Sequence, residues 1–254
     1  LCQCTPRACS LLHSLNIPVD IVGPEDDLER YRLLIAPVLY MTKKGYDGKI
    51  RRFVENGGTF VTTFFSGIVD ENDLVILGGY PGKLRDVLGI WVEEEDALPS
   101  GMENAFEYKG NRYPARLLCD LLHPESSSLT VLSRYESDFY AGMPVLTKNR
   151  FGKGLAYYVA VRSDAEFYRI FLNDLCTESG ITPAAVPQEG LEATVRVNEN
   201  GRFLFLLNHG DTELSIETDK GGIDLISGRS YTAGEKIILE KKDVRIIQEI
   251  VEGV

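Results

Sequence analysis

GGTFVTTFFSGIVDENDLVILGGYPGKLRDVLGI, residues 57–90, decides how this chain of 254 residues is read. It opens as an apolar strand, Thr59–Phe65, breaks into an acidic loop, and ends in a short helix closed by Gly89. Open α/β sheets place function at the carboxyl ends of their strands. This loop offers Ser66, Asp70, Glu71 and Asp73, with no cysteine or histidine.

The flanks repeat the same alternation. Ile17–Val22 (IPVDIV) reads as a short strand, and residues 32–39 (RLLIAPVL) suit a strand buried on both faces. A helix follows, with Tyr46, Ile50, Phe53 and Val54 on one stripe and Asn56-Gly57-Gly58 at its end. Residues 154–161 (GLAYYVAV) predict another strand, leading to a capping box at Ser163-x-x-Glu166. The helix it opens buries Phe167, Ile170, Phe171 and Leu175 and closes at Gly180. Between these parts, Trp91–Arg150 is less regular, with Leu129–Tyr135 strand-like. The pattern predicts an α/β fold from Leu11 to about Ile181.

After a proline-bearing linker, 182–190, the rhythm changes. Leu191, Ala193, Val195 and Val197 alternate with polar residues. Asn200-Gly201 signals a hairpin before Phe203–Leu207, and turns recur at His209-Gly210, Gly221-Gly222 and Ser227-Gly228. A small antiparallel sandwich is expected, which divides the chain into 1–185 and 186–254.

Hydrophobic residues are 44% and charged residues 26%, ordinary for a globular protein. A formal charge of −11 repels phosphate backbones, so nucleic acid is excluded as a partner. No apolar run reaches the roughly 20 residues of a membrane span, and no signal peptide is read at the start, so a cytoplasmic home is expected. Cys2, Cys4, Cys9, Cys119 and Cys176 are odd in number. The spacing of the first three fits no common zinc pattern, so neither a metal nor a disulfide framework is expected.

Four candidate chemistries can be weighed. Ser66-Gly67 stands where a nucleophile elbow would sit, but FFSGI lacks the glycine two residues before the serine. His13, His123 and His209, the histidines available as a base, lie in no triad context. Asp70, Glu71 and Asp73 could form a carboxylate pair, yet acids in one loop more often cap, pair or face water. Gly78-Gly79-Tyr80-Pro81-Gly82 matches neither phosphate-binding fingerprint, and Gly152-Lys153-Gly154 reads as a tight hairpin turn. Phe139, Tyr140, Tyr157 and Tyr158 read as core and interface. His209 and Asp224 could serve a sugar site, but the single tryptophan, Trp91, lies in the other part and turn bracing is the simpler role.

Taken together, LNIPVDIV, LLIAPVLYM, FVENGGTFVTTFFSGIVDENDLVILGGYPGKLRDVLGI, CDLLH, DFYAGMPVLTKNRFGKGLAYYV, FLLNH and DLISG resemble, in order, the β-galactosidases of glycoside hydrolase family 42. The resemblance implies a class I glutamine amidotransferase-like (flavodoxin-like) doubly wound sheet, without its nucleophilic cysteine, that serves trimerisation. A small C-terminal β domain follows it. In the family an N-terminal (β/α)8 barrel holds both catalytic glutamates, so the resemblance carries no catalytic, cofactor or metal residue onto this chain. The implied partners are further copies in a homotrimer and that barrel. The rival readings are an amidotransferase-like hydrolase using Ser66–Asp73 and a sugar-binding module. One departure stands out: the chain begins LCQCTPRACS, where the family has an amphipathic helix. Pro6 and the cysteines are expected to spoil that helix, as in a truncation or a change of reading frame near Leu11.

Overall fold

The structure, a computed structural model, describes residues 4–250 and divides into two compact units. Among the described residues, Arg7–Ile21 group with Gly180–Ile250, and Val22–Ser179 form the other unit. The first described element is nonetheless a helix, α1 (Cys4–Ser14). Pro6 falls in its first turn, where an amide N–H has no intrahelical partner to lose. Ile17–Val22 forms no strand. Ile17 instead folds back on α1, donating its N–H to the Leu12 carbonyl at 3.0 Å.

The larger unit begins with β1 (Leu33–Ala36), α2 (Tyr46–Glu55) and β2 (Thr59–Thr63). β1 is shorter than residues 32–39 promised, because Pro37 has no N–H and Val38 is left-handed at φ 52°. α2 buries Tyr46, Ile50, Phe53 and Val54. Its end is capped at Asn56, with Gly57 at φ 117°. A 3₁₀ turn (Gly82–Leu84) then leads into α3 (Arg85–Leu88), closed by left-handed Gly89.

The stretch 91–150 is far more regular than its sequence suggests. It carries β3 (Ile90–Ala97), β4 (Asn104–Tyr108), β5 (Asn111–Pro124), β6 (Leu129–Arg134) and β7 (Pro144–Phe151). Register shifts between Val92 and Glu95 and between Arg116 and Cys119 break the two-residue alternation that would have revealed these strands. After β8 (Gly154–Val159) and β9 (Val161–Arg162) comes α4 (Ala165–Glu178). The N-cap of α4 is Asp164, whose Oδ1 accepts the Phe167 N–H at 2.9 Å. The expected capping box does not form: Ser163 donates to the Pro114 carbonyl at 2.7 Å, and Glu166 pairs with Arg169.

Five strands form a mixed sheet in the order β1-β2-β8-β7-β6. β1, β2 and β8 run parallel, while β7 and β6 are antiparallel. β3, β5 and β4 make a second, antiparallel sheet, with β9 paired to β5. The alternating α/β rhythm therefore holds only around the parallel strands. α4 packs its Phe167 edge-to-face on Phe106 at 5.0 Å, and Phe171 on Tyr157 at 5.8 Å.

The smaller unit is sandwich-like. β10 (Leu191–Asn198), β11 (Gly201–Asn208), β13 (Gly222–Asp224), β14 (Ser230–Tyr231) and β16 (Val244–Glu249) form one antiparallel sheet in the order β10-β11-β16-β13-β14. β12 (Leu214–Glu217) and β15 (Lys236–Leu239) form the other. Their inward residues, among them Leu206, Ile216, Ile237, Leu239 and Ile247, close one apolar core. Asn198 pairs with Gly201, so the turn residues are Glu199 and Asn200, one position earlier than the Asn-Gly signal. Asn16 is buried and braces this unit: it donates to the Ala185 carbonyl at 3.3 Å and accepts the Ala193 N–H at 2.8 Å.

A close backbone approach welds α2 to the sheet. A Cβ on Gly154 would fall 2.2 Å from the Gly58 carbonyl oxygen and 2.3 Å from that of Val54, neither able to move independently. Gly154→Ala is therefore expected to cost about 1–3 kcal/mol of stability, the range for overpacking. Urea denaturation checks this, and an unchanged midpoint would refute the packing argument.

Candidate functional site

The exit of β2 is where chemistry was expected, and hydroxyl groups occupy it. Thr62 Oγ1 donates to the Ala36 carbonyl at 2.8 Å, and Thr63 Oγ1 accepts the Val38 N–H at 2.9 Å. Ser66 is 1% exposed. Its Oγ accepts the Leu39 N–H at 2.9 Å, donates to the Thr63 carbonyl at 2.7 Å and lies 2.8 Å from Thr62 Oγ1. A serine so engaged ties β1's exit to β2's exit and has no base beside it. His123 pairs with Glu93 at 2.6 Å and stacks on Trp91, His209 pairs with Glu192 at 2.8 Å, and His13 is exposed on α1. The strained backbone of an elbow is present one residue earlier, at Phe65, with φ 60°. Its side chain is apolar and stacks on Tyr40 at 5.2 Å.

The loop acids do not converge either. Asp70 Oδ1 accepts the N–H groups of Asn72 at 2.8 Å and Leu74 at 3.1 Å, shaping its own turn. Asp73 is exposed beside the Tyr40 hydroxyl, and Glu71 faces water. At Gly79, a Cβ would lie 2.4 Å from Trp91 Nε1, so this glycine makes room for the indole rather than for a phosphate. Arg85 donates to the Gly78 carbonyl, pairs with Glu125 and lies over the Trp91 ring at 5.9 Å. With His123 stacked on it as well, Trp91 is no open sugar platform. Gly152 and Lys153 form the expected hairpin turn between Phe151 and Gly154.

Tyr140, Tyr157 and Tyr158 are buried, while Phe139 is exposed. Asp224 is fully buried. Burial would raise its carboxyl, but the Ser227 hydroxyl, nearby backbone N–H groups and Arg245 hold it below the usual range. It braces a turn. Cys119 and Cys176 are buried free thiols pushed up to about 11 by burial, and Cys9 is also free. Cys2 and the side chain of Cys4 lie outside the described residues. Among the described residues, no three His, Cys, Asp or Glu gather as a metal cluster, and no helix is long and apolar enough to cross a membrane.

Two features escaped the sequence reading. The loop presents apolar side chains to water, with Leu74 63%, Val75 57% and Leu77 92% exposed. Behind it, Asp120 is completely buried on β5. An acid inside the apolar run LLCDLLH was the available signal for the second. Nothing in local sequence marks which way LVIL faces.

Because the Ser66 hydroxyl braces two strand ends, Ser66→Ala is expected to cost about 1–3 kcal/mol by leaving buried partners such as the Leu39 N–H unpaired. Thermal and urea unfolding measure this, and an unaffected stability would contradict the bracing role.

Comparison with known proteins fits this geometry. The family model for the "Beta-galactosidase trimerisation domain" matches residues 10–182, and that for the "Beta-galactosidase C-terminal domain" matches residues 190–249. Beta-galactosidase BgaA of Planococcus sp. is 48% identical over 245 residues, covering 94% of this chain and 36% of the relative. Beta-galactosidase LacA of Lactobacillus acidophilus is 43% identical over 215 residues, covering 84% of this chain and 32% of the relative. The crystal structure of β-galactosidase from Bacillus circulans sp. alkalophilus aligns with a TM-score of 0.90 at 41% identity, over 96% of this chain and 37% of that one. A catalytic mutant of Gan42B, a GH42 β-galactosidase from G. stearothermophilus, aligns with a TM-score of 0.87 at 32% identity, over 96% of this chain and 35% of that one. The chain thus spans about a third of the length of these relatives. It belongs to the β-galactosidases of glycoside hydrolase family 42, as the stretch that carries their trimerisation and C-terminal domains.

Proposed function

We propose that this chain is a non-catalytic oligomerisation and accessory part of a β-galactosidase. Residues 1–185 would form the trimerisation domain on an amidotransferase-like sheet, and 186–254 an all-β companion. The parent reaction is retaining hydrolysis of terminal β-D-galactosides, with both carboxylates on a (β/α)8 barrel outside this chain. Its partners are copies of itself in a cytoplasmic homotrimer and that barrel. No residue here is assigned to catalysis, a metal or a cofactor.

The observation that carries this reading is the loop at the exit of β2. A braced scaffold presents Leu74, Val75 and Leu77 to solvent, an arrangement suited to a subunit contact. The rival hydrolase reading draws on the same loop, and the engagement of the Ser66 hydroxyl by three neighbours weighs against it.

Light scattering at tens of micromolar is expected to give a mass of about three chains. Leu74→Asp and Leu77→Asp should each weaken assembly about 10- to 100-fold, since burying one such side chain contributes about 1.5–3 kcal/mol. Both variants should keep the circular dichroism of the parent chain. A strict monomer in the unaltered chain would overturn the proposal.

A further inference from the structure

Asp120 on β5 stands opposite Glu95 on β3 in the strand register, behind the turn at Phe65 and Ser66. Paired residues of antiparallel strands project from the same face, with Cβ atoms about 5 Å apart. Asp120 Oδ2 is satisfied, taking the Tyr158 hydroxyl at 2.6 Å and the Phe65 N–H at 3.3 Å. Asp120 Oδ1 and Glu95 Oε1 are both buried, and neither has a hydrogen-bond partner. Two ionised carboxylates only accept, so neither could satisfy the other.

We propose that Glu95 and Asp120 share one proton across the β3–β5 pairing, as a buried carboxyl–carboxylate hydrogen bond. A single proton between Oδ1 and Oε1 supplies the missing donor to one and the missing acceptor to the other. Two like charges whose facing oxygens are both out of water disfavour ionisation of both acids. A hard cation would need about six oxygen ligands, and no third acid among the described residues joins these two.

The groups facing Asp120 are Glu95 from β3, Tyr158 from β8, and Tyr135 just past β6, which donates to the Asp120 backbone carbonyl at 3.1 Å. Its chain neighbour Cys119 stands opposite Asp96, whose carboxylate takes the Tyr140 hydroxyl at 2.8 Å. No lysine, arginine or histidine among the described residues pairs with Asp120 or Glu95. Burial pushes the Asp120 carboxyl up to about 8, with Tyr158 opposing and Glu95 adding to the rise, and burial raises Glu95 as well.

The sign of the linkage follows. A free aspartate titrates near 4, so between about pH 4 and about pH 8 the folded chain holds one proton that the unfolded chain has released. The stability this pair contributes is fullest below that window, falls as pH rises through it, and levels off above it.

The test uses the full chain alongside Glu95→Gln and Asp120→Asn. In the unaltered protein, infrared spectra near neutral pH should show a protonated-carboxyl stretch that both variants lose. The urea midpoint of the unaltered chain should fall between about pH 5 and about pH 8 with an extra slope of one proton, and this extra slope should vanish in the variants. If Asp120→Asn fails to fold, Glu95→Gln decides alone, because its amide can donate to Oδ1. The proposal is overturned by absence of the band in the unaltered chain, or by equal slopes in all the folded proteins. It is likewise overturned if calcium or magnesium raises the midpoint of the unaltered chain alone.

Discussion

Three hydroxyl groups at the exit of β2 govern the centre of the larger unit. Thr62, Thr63 and Ser66 reach the backbone where β1 ends, at Ala36, Val38 and Leu39. Two parallel strands ending side by side leave unpaired backbone groups, and burying these without partners is costly. The hydroxyls satisfy them internally. The same bonds hold Phe65 in a left-handed conformation and start the loop that carries Asp70 to Leu77. The hydroxyl side chains at this position hold the strand ends together.

The consequences spread from that knot. A fixed loop origin lets Asp70 shape a local turn and leaves Leu74, Val75 and Leu77 outward. The Phe65 N–H turns to Asp120, which places the buried acid directly behind the loop. Arg85, paired with Glu125, and His123 flank Trp91 near the far end of the segment. Ser66 and the loop acids Asp70, Glu71 and Asp73 are each engaged by a neighbour or exposed to water.

How much of this was legible depended on periodicity. The stripe Tyr46, Ile50, Phe53 and Val54 formed as read, the strand after Gly58 formed but ends at Thr63, and the alternation from Leu191 holds at Leu191 and Ala193 but leaves Val197 exposed. The strands between Trp91 and Arg150 were hidden because bulges shift their inward residues out of phase. Ile17–Val22 looked like a strand, yet strand formation needs a neighbour, and Ile17 folds back on α1. The cap of α4 shifted by one residue: Asp164 accepts the Phe167 N–H, while the Ser163 hydroxyl is taken by the Pro114 carbonyl. At the candidate site, the absence of an elbow glycine and of a nearby base could be read directly. The engagement of Ser66 by Leu39, Thr62 and Thr63 could not, since it depends on two strands meeting.

The braced strand end and its apolar loop are the geometry on which the proposed scaffold role rests. The most direct measurement is hydrolysis of a chromogenic β-galactoside by the purified chain at high protein concentration. The account predicts no turnover above the buffer rate. Turnover that follows the protein through purification and disappears in a folded Ser66→Ala variant would contradict it.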